Sequence, residues 1–254
     1  DATIAINSTV LEGGPVAPET SDAIEIGIRG VFESLPELFF DLSAFQNTYK
    51  DFHVQSFDTS GAGGSKLQNA GETETKGIEL AVSWAPSDEF SLSMNALYLD
   101  AKFTDFDGVG CYPGQTESQG CTPRPGGRSL QDVSGSTLPN APELKLSVLP
   151  RYETQLSSGR TVFAQALVSY QSEVKYNINQ DPRAFQKGYT LVDLSAGFKT
   201  KDDRYLVTIF AKNVFDKFHT SSVGAMFLND PGGYYHIVPR SAFQYVGVEL
   251  AANF

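Results

Sequence analysis

From Val246 to the last residue the even positions read Val246, Val248, Leu250, Ala252 and Phe254, all apolar. The odd positions, Tyr245, Gly247, Glu249, Ala251 and Asn253, are mostly small or polar. A period of two gives a strand with one apolar and one polar face. The alternation recurs through the chain. Ile24, Ile26 and Ile28 alternate with Glu25, Gly27 and Arg29. Leu38, Phe40, Leu42 and Ala44 open a second strand that the pattern carries on toward Gln55. Further strands follow at Ile78–Trp84, Phe90–Tyr98, Leu144–Val148, Val162–Tyr170 and Val192–Phe198. Tyr205–Val214 is apolar on both phases, so its facing is ambiguous. Nine strands and no helical stretch make the chain all-β.

The connections sort by length. Short ones fall near residues 32–36, 85–89, 155–160 and 199–204, and long ones near 56–72, 104–138, 177–187 and 215–238. This strict alternation matches an antiparallel up-and-down transmembrane β-barrel, with short periplasmic turns and long external loops. A soluble β-sandwich binding or adhesion module is the alternative, and it has no reason to sort loops by side. In a barrel the polar phase (Glu25, Arg29, Asp41, Glu79, Asn95, Lys145, Gln165, Asp193) points into a wet lumen. Trp84, Phe90, Tyr98, Tyr152, Tyr170, Phe198 and Phe254 lie near predicted strand ends, as interfacial girdles do. The 104–138 segment reads as a long connection without structure of its own, which is usually functional or disordered.

Composition narrows the partners. The net charge of −11 argues against nucleic-acid binding. No apolar run reaches the ~18 residues of a membrane helix, which leaves barrels open. Cys111 and Cys121, the two cysteines, sit ten positions apart in a Gly/Pro-rich stretch. A disulfide between them in an oxidising compartment is expected, with a pair of free cytosolic thiols the alternative. A bridge there would contribute about 2–3 kcal/mol by loop closure. His53, His219 and His236 have no metal spacing, and no nucleophile elbow, phosphate loop or CxxC pair occurs. The chain is therefore expected to be no enzyme and to carry no metal or cofactor.

Several segments resemble one family in order along the chain. Pro18-Glu19-Thr20-Ser21 with IEIGIRG resembles the "PE-x-S … E-x-G-x-K" strand of TonB-dependent outer-membrane receptors. AGETETKGIELAVSWAP resembles their "GxE" strand, NALYLDAKFTDF their "Y-x-D-A-x-Y" arm, and LPNAPELKLSV their "P-x-x-P" strand start. AKNVFDKFH is similar to the "NLFD" motif, and PRSAFQYVGVELAANF to the closing strand with its terminal Phe. The resemblance implies a 22-stranded barrel with an N-terminal plug. Residues 1–254 would then be its C-terminal portion, about nine strands, with plug and first strands absent. It implies residence in the outer membrane of a Gram-negative bacterium, among outer-membrane lipid. It also implies energy from the TonB complex through the missing part, and insertion by the barrel-assembly machinery. The last strand's Val246, Val248, Leu250 and Phe254 would serve as the assembly signal.

Candidate ligand-binding residues in the external loops are Tyr112, Arg124, Arg128, Tyr176, Arg183, Phe185, Tyr234, Tyr235 and His236. Aromatic and arginine side chains together suit a bulky, anionic, partly aromatic solute. A ferric siderophore fits and is the commonest substrate of the family. Cobalamin, oligosaccharides and aromatic compounds, carried by similar receptors, stay open.

Overall fold

The computed structural model describes residues 16–32, 37–58, 64–69, 71–124, 128–202, 204–225 and 233–253. Nine long strands form one sheet: β1 (Thr20–Phe32), β2 (Leu38–Lys50), β3 (Glu72–Ser87), β4 (Phe90–Asp105), β5 (Leu144–Gln155), β6 (Thr161–Gln171), β7 (Tyr189–Lys199), β8 (Tyr205–Lys212) and β9 (Tyr245–Ala252). Each is antiparallel to its neighbour in sequence, and the sheet order is the chain order. All nine expected strands are present, and the order is that of an open section of an up-and-down wall.

Register turns the sequence alternation into two surfaces. One apolar row runs through Ile28, Leu42, Leu80, Ala96, Leu146 and Tyr170. A second runs through Tyr152, Ala164, Ala196, Ile209 and Val248. The surface they share is left open: Ile24, Val246 and Leu250 on it are each 76% exposed. So broad an apolar surface in water would associate or aggregate. The opposite face lines a trough of about 800 Å³ with Glu25, Asp41, Glu79, Asn95, Lys145 and Gln171. Asp193 lies on the same phase, where Lys212 bonds its carboxylate at 2.9 Å. Trp84, Phe90, Tyr98, Tyr152, Tyr170 and Phe198 all share the apolar phase, while Phe254 falls outside the described residues.

The outer surface changes character along β3 and β4. Above Ile78 and Tyr98 it carries Glu74, Lys76, Asp100 and Lys102. Lys76 bonds Glu74 at 3.0 Å, and Lys102 reaches Asp100 at 2.9 Å. Gly77 to Pro86 is thus the apolar length of β3, about the ten residues a tilted barrel strand needs. The remainder of both strands stands beyond that band.

Three expectations are corrected and one ambiguity is resolved. The second strand does not run on to Gln55: Asp51 turns left-handed at φ 56°, its N–H donates to the Gly71 carbonyl, and a separate hairpin (His53–Asp58 with Gly64–Asn69) begins. The fifth strand continues past Val148 to Gln155. Pro150 has no N–H to give, and the β6 register leaves Leu149 and Pro150 unpaired while β4 still pairs with both. Residues 104–138 do have structure of their own, described below. The facing of β8 is decided by its partners: Val207, Ile209 and Ala211 share the apolar surface, and Phe210 turns into the trough over Gly247.

That last contact belongs to a repeated device. Phe45 faces Gly77, Phe163 faces Gly197, and Phe210 faces Gly247, each directly across two strands. A Cβ on Gly197 would stand 2.3 Å from the Val207 carbonyl oxygen and 2.8 Å from the Phe163 ring. Ring over glycine covers exposed backbone and fixes register. We expect Gly197→Ala to destabilise the folded barrel by about 1–3 kcal/mol through overpacking. Ser195→Ala on the same face should stay within about 0.5 kcal/mol. Urea unfolding of the protein in lipid vesicles measures both, and equal midpoints would contradict this account.

Candidate functional site

The long connections gather at one end of the wall and build a layer with its own core. Leaving β4, the chain forms a three-stranded sheet from Asp107–Gly110, Arg128–Asp132 and Thr122–Arg124. Cys111 and Cys121 are bonded to each other across it, with Cα atoms 5.8 Å apart. Val54, Phe103, Phe106, Val109 and Val133 are buried together, with Phe52, Leu138 and Ile178 packed on them. Burying each such side chain contributes roughly 1.5–3 kcal/mol. This cluster joins the connection after β2 to those after β4 and β6.

Polar ties complete the layer. Gln131 is buried, and its amide donates to the carbonyls of Asn179 at 2.8 Å and Gly110 at 3.3 Å, while its Oε1 accepts from Gln115 at 2.8 Å. Asp181, 2% exposed, is the centre of a second tie. Its Oδ1 accepts from the Arg183 backbone N–H and Nε, both at 3.0 Å, and its Oδ2 accepts from Arg183 Nη2 and the Tyr234 hydroxyl. Arg183 Nη2 also donates to the Pro113 carbonyl at 2.6 Å, and its guanidinium lies 4.7 Å from the centre of the Tyr234 ring. Burial, then the Asp181 hydrogen bond and charge, push the Tyr234 phenol up to about 12, with Tyr112 adding to the rise. Three connections are thereby fastened at one carboxylate.

Within the layer lies a cavity of about 650 Å³. Its walls include Phe52, Phe103, Leu138, Tyr176, Ile178 and Tyr235, with His53, Asn177, Asn179 and Cys111. The Tyr176 hydroxyl donates to the Thr220 carbonyl at 2.6 Å, and Tyr235 lies over Gly224. Of the nine sequence candidates, Tyr176 and Tyr235 line the cavity. Tyr112, Arg183 and Tyr234 meet at the Asp181 tie. Arg124 pairs with Asp107 at 2.9 Å on the outside of the small sheet. Arg128 faces Arg124 in the backbone register, and its side chain lies outside the described residues. Phe185 pairs with Lys175 and exposed His236 with Val223; neither lines the cavity. Among the described residues no group of three or more His, Cys, Asp or Glu could hold a metal ion.

Residues 4–214 match the family model described as "TonB dependent receptor-like, beta-barrel". The chain belongs to the TonB-dependent receptor β-barrel family. No curated protein matches the sequence. Among solved structures, this receptor chain is similar to the ferric yersiniabactin uptake receptor FyuA from Yersinia pestis, at 17% identity and TM-score 0.68 over 93% of this chain and 30% of that one. The siderophore receptor PiuA from Acinetobacter baumannii gives 18% identity and TM-score 0.62, over 91% and 28%. The copper transporter OprC gives 14% identity and TM-score 0.64, over 94% and 32%. The chain spans about a third of the length of these structures, and at such identities the likeness is one of fold.

Sequence reasoning about this receptor missed Asp181, Gln131, Phe52 and Ile178. Asp181-Pro182-Arg183 was the one available signal, since Asp before Pro marks a turn in which the carboxylate serves its own backbone. Because the folded Tyr234 value lies above that of free tyrosine near 10, its tie is whole below pH 10. It is lost as pH rises from 10 through about 12. The difference in absorbance at 295 nm between the native receptor and Tyr234→Phe should show one phenol titrating near 12. A transition near 10 would place Tyr234 in solvent and contradict the tie.

Proposed function

We propose that this chain forms part of the wall and of the external ligand vestibule of an outer-membrane receptor for ferric siderophores, energised through the TonB complex. The observation that carries the reading is the cavity of about 650 Å³ in the long-connection layer, in a chain of this family, walled by aromatic and amide side chains. Cavities of this size with few polar groups are where ligands bind. The remaining strands and a plug seated in the polar trough come, in this proposal, from elsewhere in a longer polypeptide. Outer-membrane lipid covers the apolar surface, with the long connections outside the cell. The barrel-assembly machinery reads the last strand. FyuA and PiuA are named for siderophores and OprC for copper, so the substrate rests on the cavity and not on the shared fold.

A strain deleted for the gene should fail to grow on one ferric siderophore as sole iron source and recover with the intact gene. If uptake of every ferric chelate survives while use of cobalamin, a sugar or an aromatic compound is lost, the iron assignment falls. For assembly, Phe254→Ala in the full-length protein should lower outer-membrane yield several-fold, and Asn253→Ala, on the other phase, should lower it less. Immunoblots of outer-membrane fractions measure this, and equal yields would count against the role of the last strand.

A further inference from the structure

We infer that the external cavity receives an electrically neutral face of the ligand, and that the receptor prefers a neutral ferric chelate to a polyanionic one of similar size. This rests on the cavity being the ligand site. Among the described residues its wall contains no Lys, Arg, Asp or Glu. Two of the three arginines that sequence reasoning assigned to anion capture, Arg183 and Arg124, have other partners, and the side chain of Arg128 lies outside the described residues. Arg183 is held by both oxygens of Asp181 and by the Pro113 carbonyl, and Arg124 by Asp107. His53, the wall's imidazole, has its Nε2 2.7 Å from the Ala17 carbonyl oxygen and its Nδ1 3.8 Å from Glu19. A cation there would already be balanced by that carboxylate.

What the wall does present is flat and uncharged. Tyr176 is pinned through its hydroxyl to Thr220, which leaves its ring as a fixed surface. Tyr235 is 48% exposed, and its ring rests on Gly224, where a Cβ would stand 2.4 Å from it. Only glycine lets the ring settle this close. The side-chain amides of Asn177 and Asn179 bring neutral donors and acceptors to the same wall. A polyanion entering this cavity would give up hydration without meeting a Lys or Arg among the described wall residues, which is costly. A neutral aromatic or amide-rich face exchanges water for stacking and hydrogen bonds.

The test uses the full-length receptor in detergent, titrated by fluorescence quenching with a neutral ferric tris-hydroxamate and a trianionic ferric tris-catecholate. We expect the neutral complex to bind at least about 10-fold more tightly. Its affinity should change less than about 2-fold between 20 and 500 mM NaCl, conditions that strongly alter charge screening. Tyr235→Ala should weaken it about 10-fold by removing the ring, with Tyr235→Phe and Arg124→Ala near wild type. Tighter binding of the trianion, a steep salt dependence, or no loss in Tyr235→Ala would overturn the inference while leaving receptor function intact. Binding of neither complex, with growth on ferric chelates unaffected by deletion, would overturn the siderophore reading and this one with it.

Discussion

Each residue of an extended strand brings one N–H and one C=O that need partners, and in this wall the neighbouring strands in sequence supply them. Side chains play no part in that pairing, so they are left to make two different surfaces. The apolar one is left open and the polar one is drawn around a trough. In lipid, where water cannot satisfy an orphaned amide, only helices or a closed version of this arrangement survive. The ring-over-glycine pairs and the cross-strand rows are ways of holding register inside it.

A wall one strand thick has no interior, and the long connections therefore make one for themselves. Phe103 and Phe106, with ring centres 5.3 Å apart, are among the most buried side chains described, and they lie above the apolar band. The disulfide, the Gln131 amide and the Asp181 carboxylate then tie this layer across segments far apart in the chain; Arg183 and Pro113 are 70 positions apart. A connecting layer built this way presents a shaped surface, which a set of independent loops would have to order on binding at an entropic cost. Asn213 performs a similar service at the β8 exit. Its side chain accepts from Lys217 N–H and donates to the Lys217 and Ser241 carbonyls, while Asp216 accepts from the Gln244 N–H just before β9.

The strands, their order and their facing were legible in the sequence because alternation and turn chemistry are local. Ile24 to Ile28 or Val246 to Leu250 needs no partner to declare its period. The facing of β8 was hidden because both phases are apolar, and only Gly247 across the ladder makes room for Phe210. The stop at Lys50 depends on one left-handed residue, Asp51, and the passage through Pro150 on which neighbour would have received its missing N–H. Of the candidate site, residue types were readable and their employment was not. An arginine in a loop looks the same whether it faces a ligand or a carboxylate two positions away, as Arg183 and Asp181 do.

The sorted connection lengths have a consequence for how such a chain can change. One residue added to a tight turn such as Asp88–Glu89, where Ser87 Oγ already accepts from the Glu89 and Phe90 N–H groups, would shift the next strand by one position and turn its apolar side chains into the trough. The same insertion in the layer after β4 or β8 only lengthens a segment already folded apart from the wall. Insertions and deletions can therefore accumulate at the end that carries the long connections and are barred from the other. A lineage can remodel that layer by length as well as by substitution while its strands stay countable.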